Sequence, residues 1–277
     1  MAWFMFFGLL WIVAWLKYTS KFIIIVSASS YYFNSRKAGT DGAEENIEGS
    51  AEVSLGFKFA YLYHCGTIAF GAFIIAVVQI IKYTIMYLAA SAEKLGGENK
   101  LVVCILKCAG CILECIERIV EYINVAAFCY VAVSGDSFCS SGLQALMLNL
   151  KHCAKFSFAN FLAKIFIYLG KIGLCVGNVF SLLFIMKLRG DNEEVSSNFG
   201  PIVVIAVASY LTASIFLGMF DTSVMAILTC LAVDMDLNDG DPKYGPPTFH
   251  DEDGAWKKLD QAASKHEDAR KVGTEMV

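Results

Sequence analysis

The sequence is poor in charged residues, and this scarcity decides the class of protein. Only 17% of its 277 residues are charged and 57% are hydrophobic, and the mean hydropathy is +0.56. A soluble domain carries about 25% charged residues, so the composition excludes a disordered chain and argues against a soluble enzyme. Four prolines and 22 glycines are too few for collagen-like sequence. The composition predicts a protein that crosses a membrane several times.

An excess of basic residues is also absent. The net charge is -4 and the isoelectric point is about 5.6, whereas a nucleic-acid-binding surface needs a basic face. The ten cysteines do not indicate a secreted disulfide scaffold, because such domains are short and polar. We therefore expect no nucleic-acid partner.

Long apolar stretches are the main feature that the sequence does have. A helix needs roughly 20 mostly apolar residues to cross the hydrocarbon core of a bilayer, and unbroken runs favour helices over the ten-residue alternation of a β-barrel. The qualifying stretches are 3–33, 59–92, 101–133, 160–187 and 199–233. The sequence thus predicts an all-α, multi-pass transmembrane helical bundle with about five membrane-spanning segments over residues 1–233. A polar, cytosolic tail is predicted over residues 234–277.

The orientation follows from basic residues that come after the apolar start of the first segment. These residues are Lys17, Lys21, Arg36 and Lys37. An excess of Lys and Arg marks the cytosolic side, so we expect the first helix to end in the cytosol. The lysines between residues 94 and 107 would then lie outside, unless residues 101–118 lie along the membrane surface and do not cross it.

Some charges fall inside the predicted segments, where they are costly and suggest function. Asp221 lies near the middle of the last segment and Lys171 near the middle of the fourth. Asp221 can be a counter-ion for a cationic substrate or a proton carrier, or it can form a structural ion pair with Lys171 or face a water-filled cavity. Lys17 and Lys21 are expected to extend toward the cytosolic interface.

A row of cysteines follows helical spacing in the third segment. Its members are Cys104, Cys108, Cys111 and Cys115. The row extends over roughly 16 Å at 1.5 Å per residue, so it does not surround one tetrahedral zinc ion, and we expect no metal site. Two interpretations stay open, namely packing of small side chains and palmitoylation near the membrane surface. The histidines are dispersed, so no catalytic residue and no cofactor is predicted.

Six strings, in order, resemble the choline transporter-like protein family. They are FGLLWIVAWLKYTSKFIIIVSASSYYF (7–33), GTIAFGAFIIAVVQIIK (66–82), GDSFCSSG (135–142), YLGK (168–171), PIVVIAVASYL (201–211) and CLAVDMDLNDGD (230–241). The resemblance covers about residues 4–241. The chain is similar to the C-terminal half of that family only, which implies a fragment or a truncated paralogue.

The resemblance implies a plasma-membrane transporter of choline or a related organic cation. Transport would occur by facilitated diffusion or by proton-coupled exchange, and the protein would not be an enzyme. The implied partners are a small cation such as choline, membrane lipid, and either a second copy or a full-length relative. The alternative is a truncated, non-transporting membrane protein that associates with full-length relatives.

The resemblance also implies roles for particular residues in a central cage. In this hypothesis Trp11, Phe70 or Tyr210 faces the trimethylammonium group. Gln79 bonds the hydroxyl group, and Asp221 balances the positive charge. The family usually has Val-Asp-Thr at the position of Met225, whereas here the Asp-Thr pair begins four residues earlier, about one helical turn away.

We expect the purified polypeptide to remain in solution only with detergent, because its apolar segments would otherwise aggregate in water. Gel filtration with and without detergent measures this directly. A monodisperse peak in plain buffer would contradict the predicted membrane bundle.

Overall fold

The chain folds into helices. The computed structural model describes residues 1–40, 45–94, 100–151, 153–189, 199–238 and 240–250. The helices are α1 (Ala2–Asn34), α2 (Val53–Lys58), a π-helical turn (Phe59–Tyr63), α3 (Cys65–Lys94), α4 (Lys100–Ser134), α5 (Phe138–Lys151), α6 (Cys153–Arg189), α7 (Phe199–Leu237) and α8 (Pro247–His250). The predicted all-α fold is confirmed.

Four helices in the described part of the chain are long and apolar enough to cross a membrane. They are Trp3–Asn34, Cys65–Glu93, Ala159–Leu188 and Phe199–Leu237, and they coincide with four of the five predicted segments. The predicted segment 101–133 lies within α4, which is not among them. α4 has 35 residues and is long enough to cross a membrane, but acidic and basic residues interrupt its middle between positions 114 and 121, so its composition does not support a fifth crossing.

The helices belong to two compact units. Of the described residues, the first unit comprises those within 1–151 and 226–250, and the second comprises those within 153–225. The second unit thus contains α6 and the first part of α7, whereas the last turns of α7 belong to the first unit.

Aromatic side chains align α1 with α3 in the first unit. The rings of Trp3 and Tyr87 lie 6.2 Å apart, and those of Trp11 and Phe73 lie 5.7 Å apart, both edge to face. Residue numbers rise along α1 as they fall along α3, so the two helices are antiparallel. Edge-to-face pairs add specific attraction to the packing of apolar surface.

The core of the first unit surrounds Phe128 of α4, which is fully buried. Its ring lies 5.5 Å from that of Tyr18 and 5.9 Å from that of Phe22. On α3, a Cβ added to Gly71 would lie only 2.6 Å from Phe128 Cζ, and Asn124 Nδ2 donates to the Gly71 carbonyl over 3.0 Å. Gly71 therefore allows α3 and α4 to approach closely.

The C-terminal end of α7 is held by Asp234, which is 1% exposed. Its carboxylate accepts hydrogen bonds from Asn238 Nδ2 at 2.7 Å, from the Tyr244 backbone N–H at 2.9 Å and from Tyr32 Oη at 3.2 Å. One carboxylate thereby joins the ends of α1 and α7 to the chain that follows α7.

The structure thus places the first residues of the tail predicted over 234–277 in α7, whereas the cytosolic position of that tail stays a prediction. α7 continues to Leu237, and ion pairs join Lys151 to Asp236 at 2.6 Å and Lys37 to Asp241 at 3.1 Å. Burial lowers the pKa of the His250 imidazole. The polar composition after residue 233 predicted exposure to water. In the structure, several of these polar side chains instead bond one another or residues near the ends of α1 and α5. Residues 251–277 lie outside the described part of the chain.

Replacing Asp234 with Ala should lower the free energy of unfolding of the first unit by about 2–3 kcal/mol, because three donors lose a charged, buried acceptor. Denaturant or thermal unfolding in detergent measures the loss. Asp241→Ala is the matched control, since the Asp241 side chain is 75% exposed and exposed pairs contribute little. Equal losses in the two variants would contradict this assignment.

Candidate functional site

A cavity of about 300 Å³ lies in the second unit, between α6 and α7. It combines positive, negative and aromatic side chains within helices that are long and apolar enough to cross a membrane. Its lining residues are Lys164, Ile167, Tyr168, Lys171, Tyr210, Leu217, Gly218 and Asp221.

Helical spacing explains why these side chains share one cavity. Lys164, Tyr168 and Lys171 follow one another at intervals of four and three residues, which places them on one face of α6. Tyr210 and Asp221 are separated by eleven residues, close to three full turns of α7. Each helix therefore presents one polar stripe within an otherwise apolar surface.

Small side chains bring α6 and α7 together beside the cavity. A Cβ added to Gly170 would lie 3.2 Å from Leu217 Cδ1. Farther along, Asn178 Nδ2 donates to Ser209 Oγ over 2.9 Å. Small residues and interhelical hydrogen bonds are the usual means of association for helices in lipid.

The predicted ion pair between Lys171 and Asp221 is not formed. Both side chains line the cavity, but they are not among the pairs of described residues that lie within 4.0 Å. Lys171 Nζ instead lies 5.9 Å from the ring centroid of Tyr210, within the range of a cation–π interaction. The ring supplies an electrostatic partner that sequence spacing did not indicate.

Tyr210 and Asp221 are the two predicted binding residues that the structure brings into one cavity. Trp11, Phe70 and Gln79 belong to the first unit, and each has its own contact there. Trp11 Nε1 donates to a backbone carbonyl of α3 at 3.0 Å, and Phe70 packs edge to face against a ring of α5. Gln79 Nε2 donates to Glu117 over 2.9 Å. Their roles in binding stay predictions.

Opposite charges meet across α1, α3 and α4 in the first unit. Lys82 Nζ lies 2.7 Å from Glu117, Lys17 is paired with Glu121, and Lys21 Nζ lies 3.9 Å from Glu121. Lys17 and Lys21 therefore share a carboxylate partner on α4, and their extension toward the cytosolic interface stays a prediction. The two glutamates are four residues apart on α4, a spacing that could have indicated this layer from sequence.

The row of cysteines lies on an exposed face of α4. All four thiols are free and exposed, and Cys104, Cys108 and Cys111 line a surface depression with Lys107. Among the described residues, no three Cys, His, Asp or Glu side chains are grouped so as to hold a metal ion. Exposure leaves the thiols accessible to modification.

The position of this row constrains the palmitoylation hypothesis. Lys107 pairs with Glu93 at the end of α3 over 3.2 Å, and Trp3 packs on Tyr87, so the start of α4 lies near the start of α1. Arg36, by contrast, follows the other end of α1. If α1 ends in the cytosol, Cys104 lies toward the other side of the membrane, away from cytosolic acyl donors. The predicted orientation of α1 and palmitoylation of Cys104 therefore exclude each other.

Replacing Glu117 with Gln should lower the free energy of unfolding by about 2 kcal/mol, because Lys82 then loses its partner in a largely buried pair. The two side chains are 17% and 18% exposed. Glu114→Gln is the matched control on the same helix, since its pair with Arg118 is exposed and should give no measurable change. Chemical denaturation in detergent compares the variants, and equal effects would contradict the argument.

The chain is similar to known membrane transporters. The family profile described as plasma-membrane choline transporter matches residues 1–236. Similar proteins are choline transporter-like protein 2 of Dictyostelium discoideum, 27% identical over 86% of this chain and 36% of the relative, choline transporter-like protein 1 of Xenopus laevis, 28% identical over 87% and 35%, and choline transporter-like protein 3 of Bos taurus, 28% identical over 91% and 37%.

The chain spans about a third of the length of these curated relatives, a smaller share than the half that the resemblance implied. The family is one of transporters and not of enzymes, as the sequence predicted. The match covers most of the chain and includes all four helices that are apolar enough to cross a membrane up to residue 236. The chain belongs to the plasma-membrane choline transporter family.

Proposed function

We propose that this chain takes part in moving choline, or a related organic cation, across the plasma membrane, by facilitated diffusion or by proton-coupled exchange. Membership in the family supports the substrate class. The observation that carries the proposal to a site is the cavity of the second unit, which places the Asp221 carboxylate with Tyr168 and Tyr210 between two apolar helices.

The chemistry of this cavity suits a quaternary ammonium ion. Such an ion has no N–H group to donate, so a protein attracts it with a negative charge and with the faces of aromatic rings. A cation over a ring gains about 0.5–2 kcal/mol, more when water is excluded. Asp221 supplies the charge, and the Tyr168 and Tyr210 rings supply the faces.

The volume of the cavity is compatible with a small substrate. At about 300 Å³ it lies at the lower end of the range of about 300–1,000 Å³ for small-molecule sites. The hydroxyl groups of Tyr168 and Tyr210 can bond the hydroxyl of choline, a role that the sequence hypothesis gave to Gln79. Gln79 lies in the first unit, where its Nε2 donates to Glu117.

A second function is favoured by the length of the match. Because the chain spans about a third of each relative, its helices can associate with a full-length relative without transporting by themselves. In that case a full-length relative would supply the remaining helices. A second copy of this chain is the alternative binding partner.

Replacing Asp221 with Asn should reduce saturable choline uptake at least tenfold, because the cavity loses its only carboxylate among the described lining residues while the side-chain volume is kept. Uptake of radiolabelled choline into cells deficient in choline transport measures this, with and without the competitor hemicholinium. Asp241→Asn, which lies outside the cavity, is the control and should retain uptake.

Uptake equal to that of untransfected cells would overturn autonomous transport. The chain would then be tested by co-expression with a full-length relative, where co-purification and changed uptake by the relative favour the non-transporting partner. Full uptake by Asp221→Asn would instead remove the second-unit cavity from the proposal.

A further inference from the structure

We propose that Lys171 acts as a tethered cation that occupies the aromatic face of Tyr210 until a cationic substrate displaces it. This inference rests on the proposed function and deepens it, since it assigns the control of affinity at the same cavity to one side chain. The Lys171 ammonium group thereby competes with the substrate for the Tyr210 ring and lowers the affinity of the site.

The first argument is the position of the ammonium group. Lys171 Nζ lies 5.9 Å from the Tyr210 ring centroid, and both residues line the cavity with Asp221. The face of an aromatic ring attracts a lysine ammonium group and a quaternary ammonium ion alike. A quaternary ammonium ion that uses the same face of Tyr210 must therefore move the lysine away.

The second argument is the charge of the cavity. Its lining contains two lysines, Lys164 and Lys171, and one acidic residue, Asp221. A cationic substrate that enters meets an excess of positive charge, and like charges repel strongly where water is scarce. When the Lys171 ammonium group moves away from the ring, its repulsion of a cation bound at Tyr210 becomes weaker.

The third argument is that Lys171 can move. It is not paired with Asp221 within 4.0 Å, and its contact with Tyr210 lies near the outer limit of about 6 Å for a cation–π interaction. Its side chain is unbranched, with several rotatable bonds. The lysine can therefore leave the ring when a substrate arrives and return when the substrate departs, which favours release.

Equilibrium binding tests this role without requiring transport. Radiolabelled choline is titrated against the purified full chain in detergent, using only variants that elute as a single peak in gel filtration. Lys171→Met should lower the Kd about three- to fivefold, because the competing cation is gone. Lys171→Gln is a second variant with the same expectation, and Lys171→Arg, which keeps a cation, should change the Kd much less.

Two comparisons separate the tethered cation from a general loss of charge. Lys187→Met removes a lysine from an exposed position on the same helix outside the cavity and should leave the Kd within about twofold. In a Tyr210→Leu background the gain from Lys171→Met should become smaller, since no ring remains to compete for and only the like-charge repulsion is relieved. In a Tyr210→Phe background, which keeps the ring, the gain should persist.

The outcomes distinguish this inference from the proposed function. Saturable binding that Lys171→Met and Lys171→Gln leave unchanged or weaken would overturn the tethered cation alone. A gain that survives Tyr210→Leu in full would also overturn it. Absence of choline binding in the unchanged chain and in all Lys171 variants would overturn both, whereas binding that emerges only in Lys171→Met or Lys171→Gln would support both.

Discussion

The cost of an unpaired charge among apolar helices governs how this chain is built. Charged side chains that lie far from water need a partner, and in an all-helical protein that partner has to come from another helix. In the first unit, Glu117 and Glu121 of α4 meet lysines from α3 and α1. These contacts join three helices that also share aromatic packing and the hydrogen bonds of Trp11 and Asn124 to backbone carbonyls of α3. Together these contacts specify which faces meet.

The same constraint operates at the end of α7. Asp234 is almost completely buried, and its carboxylate is satisfied by donors from α1, from α7 itself and from the chain after α7. The string CLAVDMDLNDGD therefore contributes contacts to the fold of the first unit. Its acidic residues at 234, 236 and 241 each bond a different part of the first unit.

The second unit uses charge differently. Lys171 and Asp221 share a cavity without forming an ion pair, and the lysine lies over Tyr210. Charged groups that already form an ion pair attract a charged substrate weakly. A weak contact within the site, such as that of Lys171 with Tyr210, can be replaced by a contact with the substrate. In the proposed function, the paired charges of the first unit stabilise the fold and the charges that line the cavity of the second unit serve binding.

The sequence by itself determined the all-α class, the family and, among its five predicted segments, the four long apolar helices, because hydrophobic length and the order of motifs can be read along the chain. The charge of Asp221 stands out within an apolar stretch, and the family resemblance suggested Tyr210 together with Trp11, Phe70 and Gln79; their binding roles stay predictions. Only the tertiary structure decided their partners: Lys171 bonds a ring and not Asp221, Lys17 meets Glu121, and Asp234 is buried. Such choices depend on which helix faces meet, and local spacing does not encode distances between residues that are remote in the chain.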